Sequence, residues 1–216
     1  MNELASPRAG ALAIVIGVIA SVALMAAHPS GVGTMQIGPP FFRALDINVI
    51  VHAVAVVATP FLAYGAFALT KLIARPLAGL ALAFYAFGCV AIMSAAIMSG
   101  FVMTQLVNSA HIPGAARAGI DFQSLADLTH WQNQAYAYVY TGLAAIAVLM
   151  WSIAWREAAL QRLLGFIVGA GTLAWMATGA LVLNIHGMMA VTLGQAVWWL
   201  LAARAMMRGS GSSPSP

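Results

Sequence analysis

The sequence predicts an all-α integral membrane protein: a six-transmembrane-helix bundle with N and C termini cytoplasmic. Three observations lead there. Charged residues make up 6% of the 216 and apolar ones 62%, whereas soluble domains carry roughly 25% charged residues. Apolar runs long enough to cross a hydrocarbon core about 30 Å thick, at about 1.5 Å per helical residue, recur along the chain. Cations and histidines also alternate between the ends of these runs, which gives the bundle a direction.

The stretch Asp46–Arg75 shows the pattern most plainly. It opens on a polar turn holding Asn48 and His52, continues through an apolar run from Val49 to Leu69, and closes on Lys71 and Arg75. Thr59-Pro60 falls near its middle, where a missing N–H is expected to kink a membrane helix. Before it, residues 1–10 form a short cytoplasmic segment with Arg8, and the apolar run from Ala11 to Ala27 makes the first span. That run also fits a signal peptide, with Met25-Ala26-Ala27 as a cleavage site. At about seventeen residues it is long for a signal and short for a span, and a retained helix is expected. His28–Leu45 reads as a loop, because Gly31, Gly33, Gly38 and Pro39-Pro40 interrupt a helix and Phe41-Phe42-Arg43 suit an interfacial foot.

A third helix is expected from Leu77 to Met103, with Ser94, Ala95, Ala96, Ser99 and Gly100 allowing a close neighbour. Thr104–Thr129 is the longest polar segment, in which FQSLADL suits a short helix on the membrane surface. The fourth helix runs from His130 to Trp155, with Trp131 and Trp155 at the two headgroup levels. The fifth, Leu163–Leu183, carries the pair Gly165 and Gly169, whose spacing points to close helix packing. LNIHGMM then turns the chain into a sixth helix, Ala190–Ala203. The transmembrane domain thus spans 11–204, and 205–216 reads as a disordered Gly/Ser/Pro-rich cytoplasmic tail.

Counting connections alternately, one side receives Arg8, Lys71, Arg75, Arg156, Arg162, Arg204 and Arg208, the other only Arg43 and Arg117. Positive charge marks the cytoplasmic side, so the expected setting is multi-pass in a plasma (inner) membrane, with the lipid bilayer as the main partner. The net charge of +4 is spread among apolar spans. No basic patch follows a phosphate backbone, and nucleic acid is excluded as an expected partner. A single cysteine, Cys89, rules out an intrachain disulfide and any CxxC motif. No GxSxG turn surrounds Ser94 or Ser99. Five acidic residues leave little for a paired-carboxylate mechanism, and no charge lies deep in a span to act as an ion relay.

All five histidines, His28, His52, His111, His130 and His186, fall at or near the outer face on this map, among Met25, Met35, Met98, Met103, Met188 and Met189. Polar and ionisable groups in a membrane are costly enough that function is the default reading. The plain alternative is that imidazoles sit comfortably at headgroup depth and methionine fills cores. Asn48 and His52 share a helix face, and Asn48 is expected to orient the imidazole. Asp127, His130 and Gln134 follow at spacings of three and four, so Asp127 is expected to accept from His130. No HxxxH or HExxH occurs, so any site must be assembled across helices.

Two chemistries suit such groups. Haem b, ligated by two imidazoles, would draw on His52 with His130 or His186. Copper would draw on imidazole plus thioether, from His28, His186, Met188, Met189 and Met98. Asn48, Asp127, Asn133, Gln134 and Asn184 are the expected supporting groups. In layout alone, six helices with histidines at their ends, the chain resembles membrane b-type cytochromes. It departs from the two-haem type, since nothing here would ligate an inner haem. The expectation is an outward His-rich site that binds haem or metal in membrane electron transfer, with a redox partner or another membrane subunit. The alternative is a non-catalytic structural or partner-binding subunit with no bound metal.

Overall fold

The computed structural model describes residues 6–28, 39–110 (39–46 as backbone) and 121–209. Among these the chain is helical and contains no strand, and six helical segments are long and apolar enough to cross a membrane. Helix α1 (Pro7–Ala27) is started by Ser6, whose hydroxyl accepts from the Ala9 N–H at 3.1 Å, with Pro7 in the first turn. Both residues suit a helix start, where backbone donors have no partner in the helix. Helix α2 (Pro39–Ile73) and α3 (Pro76–Ile97) are separated by a tight turn in which Ala74 takes a positive φ of 50°. Five residues of π-helix, Met98–Val102, join α3 to α4 (Met103–Ala110), and these three pieces form one span. Then come α5 (Phe122–Ala154), α6 (Ala159–Ala177) and α7 (Ile185–Gly209).

Several expected boundaries move. Pro39–Leu45 belongs to α2 rather than to a loop, because a proline's fixed φ is already helical and its lost N–H costs nothing at a first turn. Helix α2 also runs unbroken past Pro60. The third span continues to Ala110, seven residues beyond Met103. FQSLADL is not a surface helix but the first two turns of α5. Asp121 caps it, accepting from the Ser124 hydroxyl and, at 3.1 Å, from the Ser124 N–H, and these bonds hold the Asp121 carboxyl below its usual pKa. Helix α6 ends at Ala177, six residues before Leu183, and Gly179 (φ +69°) carries the chain out of it. Helix α7 starts five residues before Ala190, so His186 opens α7 instead of closing the helix before it. It also continues to Gly209, into the segment expected to be disordered.

The spans close a ring. Helix α1 packs on α2 and α7, α2 on α3, α3 on α5, α5 on α6 and α6 on α7. Exposed Leu12, Val57, Phe87 and Ile167 cover the outside, an apolar surface that suits lipid and would be a liability in water. At one end Gly10 of α1 lies against Ala68 of α2 and Met206 of α7, and Arg75 pairs with Glu157 at 2.8 Å. This end therefore collects the start of α1, the α2–α3 and α5–α6 turns and the end of α7. Both members of the ion pair are well exposed, so it is worth under about 1 kcal/mol.

Inside the ring, the half towards this arginine end is solid. Trp151, Trp198 and Trp199 meet with ring centroids 5.0–5.9 Å apart, and Tyr85 sits against Trp151 and Trp199 at 5.5 and 5.3 Å. Buried indole N–H groups need partners. Trp151 donates to the Thr70 hydroxyl at 3.0 Å and Trp198 to the Gln161 carbonyl at 3.1 Å. Gly165 and Gly169 seat α6 on α5 as their spacing predicts. A Cβ at Gly165 would run into Ser152 and the Trp198 indole, and one at Gly169 into the Ala145 carbonyl.

By contrast, a Cβ at Gly171, on the same helix, would meet nothing within 4 Å. Gly165→Val is expected to lower the stability of the detergent-solubilised protein by about 1–3 kcal/mol through overpacking. Gly171→Ala should leave it unchanged or raise it by up to about 1 kcal/mol, since only helix propensity changes. Thermal denaturation of the two variants beside the parent checks both values.

Candidate functional site

The half of the ring away from the arginine end is hollow. A cavity of about 890 Å³ lies there, walled by α1, α2, the third span, α5 and α7. Helix α6 contributes no wall residue. At the histidine end His28, just past the end of α1, His52 of α2 and His130 of α5 line it. Asn48, Asp127, Asn133, Gln134, Asn184 and Met188 line it as well. The floor, against the aromatic plug, is made by Tyr85, Cys89, Tyr140, Gln195 and Trp199.

The site is built most tightly around His52. Its ring is buried, and Nδ1 lies 2.7 Å from the carbonyl oxygen of Asn48, one turn earlier. A carbonyl only accepts, so Nδ1 carries the hydrogen, and in the neutral form of the ring this leaves the lone pair on Nε2. The Asn48 side chain crosses to the third span and donates to the Ser99 carbonyl at 2.8 Å. Ser99 lies within the π-helical turn, and the next residue, Gly100, is where His52 packs. A Cβ at Gly100 would collide with the Cβ of His52. Single π turns inside α-helices often mark functional positions. Here the turn and the missing side chain give the imidazole its seat. His28 stands edge-on to His52, with ring centroids 5.1 Å apart.

The supporting groups differ in detail from the expected ones. Asn48 does orient His52, but through its main-chain carbonyl. Asp127 accepts from Gln123 at 2.9 Å rather than from His130. His130 is exposed, with Trp131 edge-on at 5.9 Å. Asn184 lines the cavity while its side-chain oxygen accepts from the Gly187 N–H at 3.0 Å, capping α7. His186, Met189 and Met98 are not among the lining residues, so the structure gathers only His28 and Met188 of the five proposed for copper. His111, Met35 and Arg117 lie outside the described residues, and so does the side chain of Arg43.

Two parts of the site were not singled out from the sequence. One is the π turn at Gly100, for which residue types give no signal beyond a glycine in a small-residue stretch. The other is the floor. Gln195 is 5% exposed, and its side-chain oxygen accepts from the Tyr140 hydroxyl at 3.1 Å. Its amide nitrogen is buried with no hydrogen-bond partner. A lone amide in the middle of AVTLGQAVWWL was the available signal.

Fold and site together define a multi-pass, all-helical membrane protein built around an internal cavity. No family model, curated protein or solved structure matches this chain.

The seat of His52 can be tested by itself. Gly100→Ala is expected to destabilise the protein by about 1–3 kcal/mol, because helix and imidazole must separate. Ser94→Ala, at a half-buried hydroxyl that bonds only its own helix, should cost under about 1 kcal/mol. Thermal unfolding in detergent measures the difference.

Proposed function

We propose that the cavity binds a haem b-type tetrapyrrole, whose iron His52 and His130 would hold, and that the protein serves membrane electron transfer. The observation that carries this reading is the shared cavity itself: histidines just past α1, on α2 and on α5 reach one space, and the most buried of them, in its neutral form, keeps its Nε2 lone pair. Among the described residues no three His, Cys, Asp or Glu side chains gather closely enough to hold a bare ion. A tetrapyrrole brings four nitrogens of its own and asks the protein for only one or two more. The volume falls within the roughly 300–1,000 Å³ of small-molecule and cofactor pockets. The apolar walls suit a flat macrocycle, which is a better match than copper for what the donors offer.

In this reading His52 would hold the iron from α2, and the Asn48 carbonyl, by accepting from the Nδ1 N–H, fixes the ring and would strengthen Nε2 as a donor. His28 buttresses the imidazole from the side. His130 approaches from α5, which α3 separates from α2 in the ring. Bound haem would supply one-electron chemistry, and the protein's part is to ligate it, orient it and keep lipid away. A redox partner, soluble or a second membrane subunit, would dock at the histidine end.

Full-length protein purified in mild detergent from cells supplied with a haem precursor is expected to show a Soret band. His52→Ala should abolish it, and His130→Ala should shift the spectrum from low spin towards high spin. A parent protein with no Soret band, even after hemin is added, rules the reading out in favour of a structural or partner-binding subunit.

We also propose that the arginine end is cytoplasmic and that the histidine end faces outwards across a plasma membrane. Support comes from the seven Lys/Arg assigned to that side in the sequence. Reporter fusions after Gly209 should be active with a cytoplasmic reporter and silent with one that matures only outside. The reverse pattern would invert the assignment.

A further inference from the structure

The floor of the cavity carries a polar feature that axial ligation does not use. Gln195 is nineteen-twentieths buried in an apolar helix, and only half of its amide is satisfied. Tyr140 engages the oxygen and leaves the nitrogen, with two N–H groups, unpaired. Burying an amide donor without a partner is costly. Leucine would fill the same position without that cost, so the amide is suited to a group that is absent from the protein itself.

The surroundings narrow what that group is. It must accept a hydrogen bond. It must be uncharged, since the floor holds no Lys, Arg, Asp or Glu and a charge there would lie unpaired in an apolar medium. The neighbouring walls are the flat faces and edges of Tyr85, Tyr140 and Trp199, which favour a planar ring. Between this floor and the polar histidine end the walls include Val18, Leu62 and Ile92, which suit a molecule that dissolves in lipid. We propose that the Gln195–Tyr140 pair binds the carbonyl oxygen of a quinone-class ring, with the Gln195 amide, whose nitrogen is covered in this structure, turning towards the cavity to donate to it. The proposal shares the cavity with the haem reading but none of its ligand residues, so either can fail without the other.

The test is a calorimetric titration of full-length protein in detergent with decylubiquinone. The parent should bind saturably with one site per chain. Gln195→Leu should bind roughly five- to tenfold more weakly, the loss of one hydrogen bond. Because that change strands the Tyr140 hydroxyl, the double variant Gln195→Leu/Tyr140→Phe, which leaves neither polar atom behind, is the safeguard against misfolding and should show the same weakening. The Soret band, where present, should stay unchanged in both variants. Non-saturable uptake by the parent, or equal affinity in all three proteins, overturns the proposal.

Discussion

The aromatic plug decides the character of this molecule. In a bilayer every helix satisfies its own backbone, and association between helices rests on packing rather than on expulsion of water. A ring of six spans encloses more space than alanine-rich inner faces can fill, and the chain closes one half of it with Trp151, Trp198, Trp199 and Tyr85. Each of these is almost fully buried, and truncating such a residue typically costs about 3–5 kcal/mol. The indole donors are tied to Thr70 and Gln161, which links α5 and α7 to α2 and α6. With one half locked, the other half is left hollow without loss of the ring.

The histidine end depends on a second, smaller constraint. A regular α-helix through Gly100 would present Ser99 and its neighbours with a different register towards α2. The π turn adds a residue within the span and frees the Ser99 carbonyl for the Asn48 amide. One helix thus supplies the acceptor, the other the amide, and between them His52 is held by a main-chain bond and a glycine contact. The imidazole is positioned by two helices at once.

Much of this was legible from residue order, because the signals are strong where lipid is the solvent. Six apolar segments, the alternation of cations and histidines, the Gly165/Gly169 contact and the pairing of Asn48 with His52 follow from length, charge and helical spacing. The boundaries that moved share one cause: polar residues inside a helix that extends past the hydrocarbon. Thr104–Ala110 and FQSLADL are polar and helical together, and hydropathy reads such turns as loops. His186 lay beyond reach for the same reason, since LNIHGMM contains both a turn and the first turn of α7. The convergence of His28, His52 and His130 depends on ring order, which no local pattern encodes. Gln195 was visible as a polar residue in an apolar helix, yet its meaning comes from Tyr140, 55 residues earlier and on another wall.

The cavity has two chemically distinct ends, and this separates it from a simple packing defect. A defect lined by alanine and valine would be dry and indifferent to what filled it. This one carries imidazoles and amides at one end, a half-satisfied amide against aromatic rings at the other, and apolar walls between them. A small ion would use only the first end, and a lipid chain only the walls. A rigid, mostly apolar molecule with polar contacts at its extremities, or two such molecules end to end, engages all three zones. The position of the zones along the bundle also matters. The histidines lie at one end of the cavity and Gln195 lies where the plug seals the ring, so a group held at the floor is separated from the arginine end by three indoles. Exchange with the exterior must then occur through the histidine end or between the spans, and not past the plug.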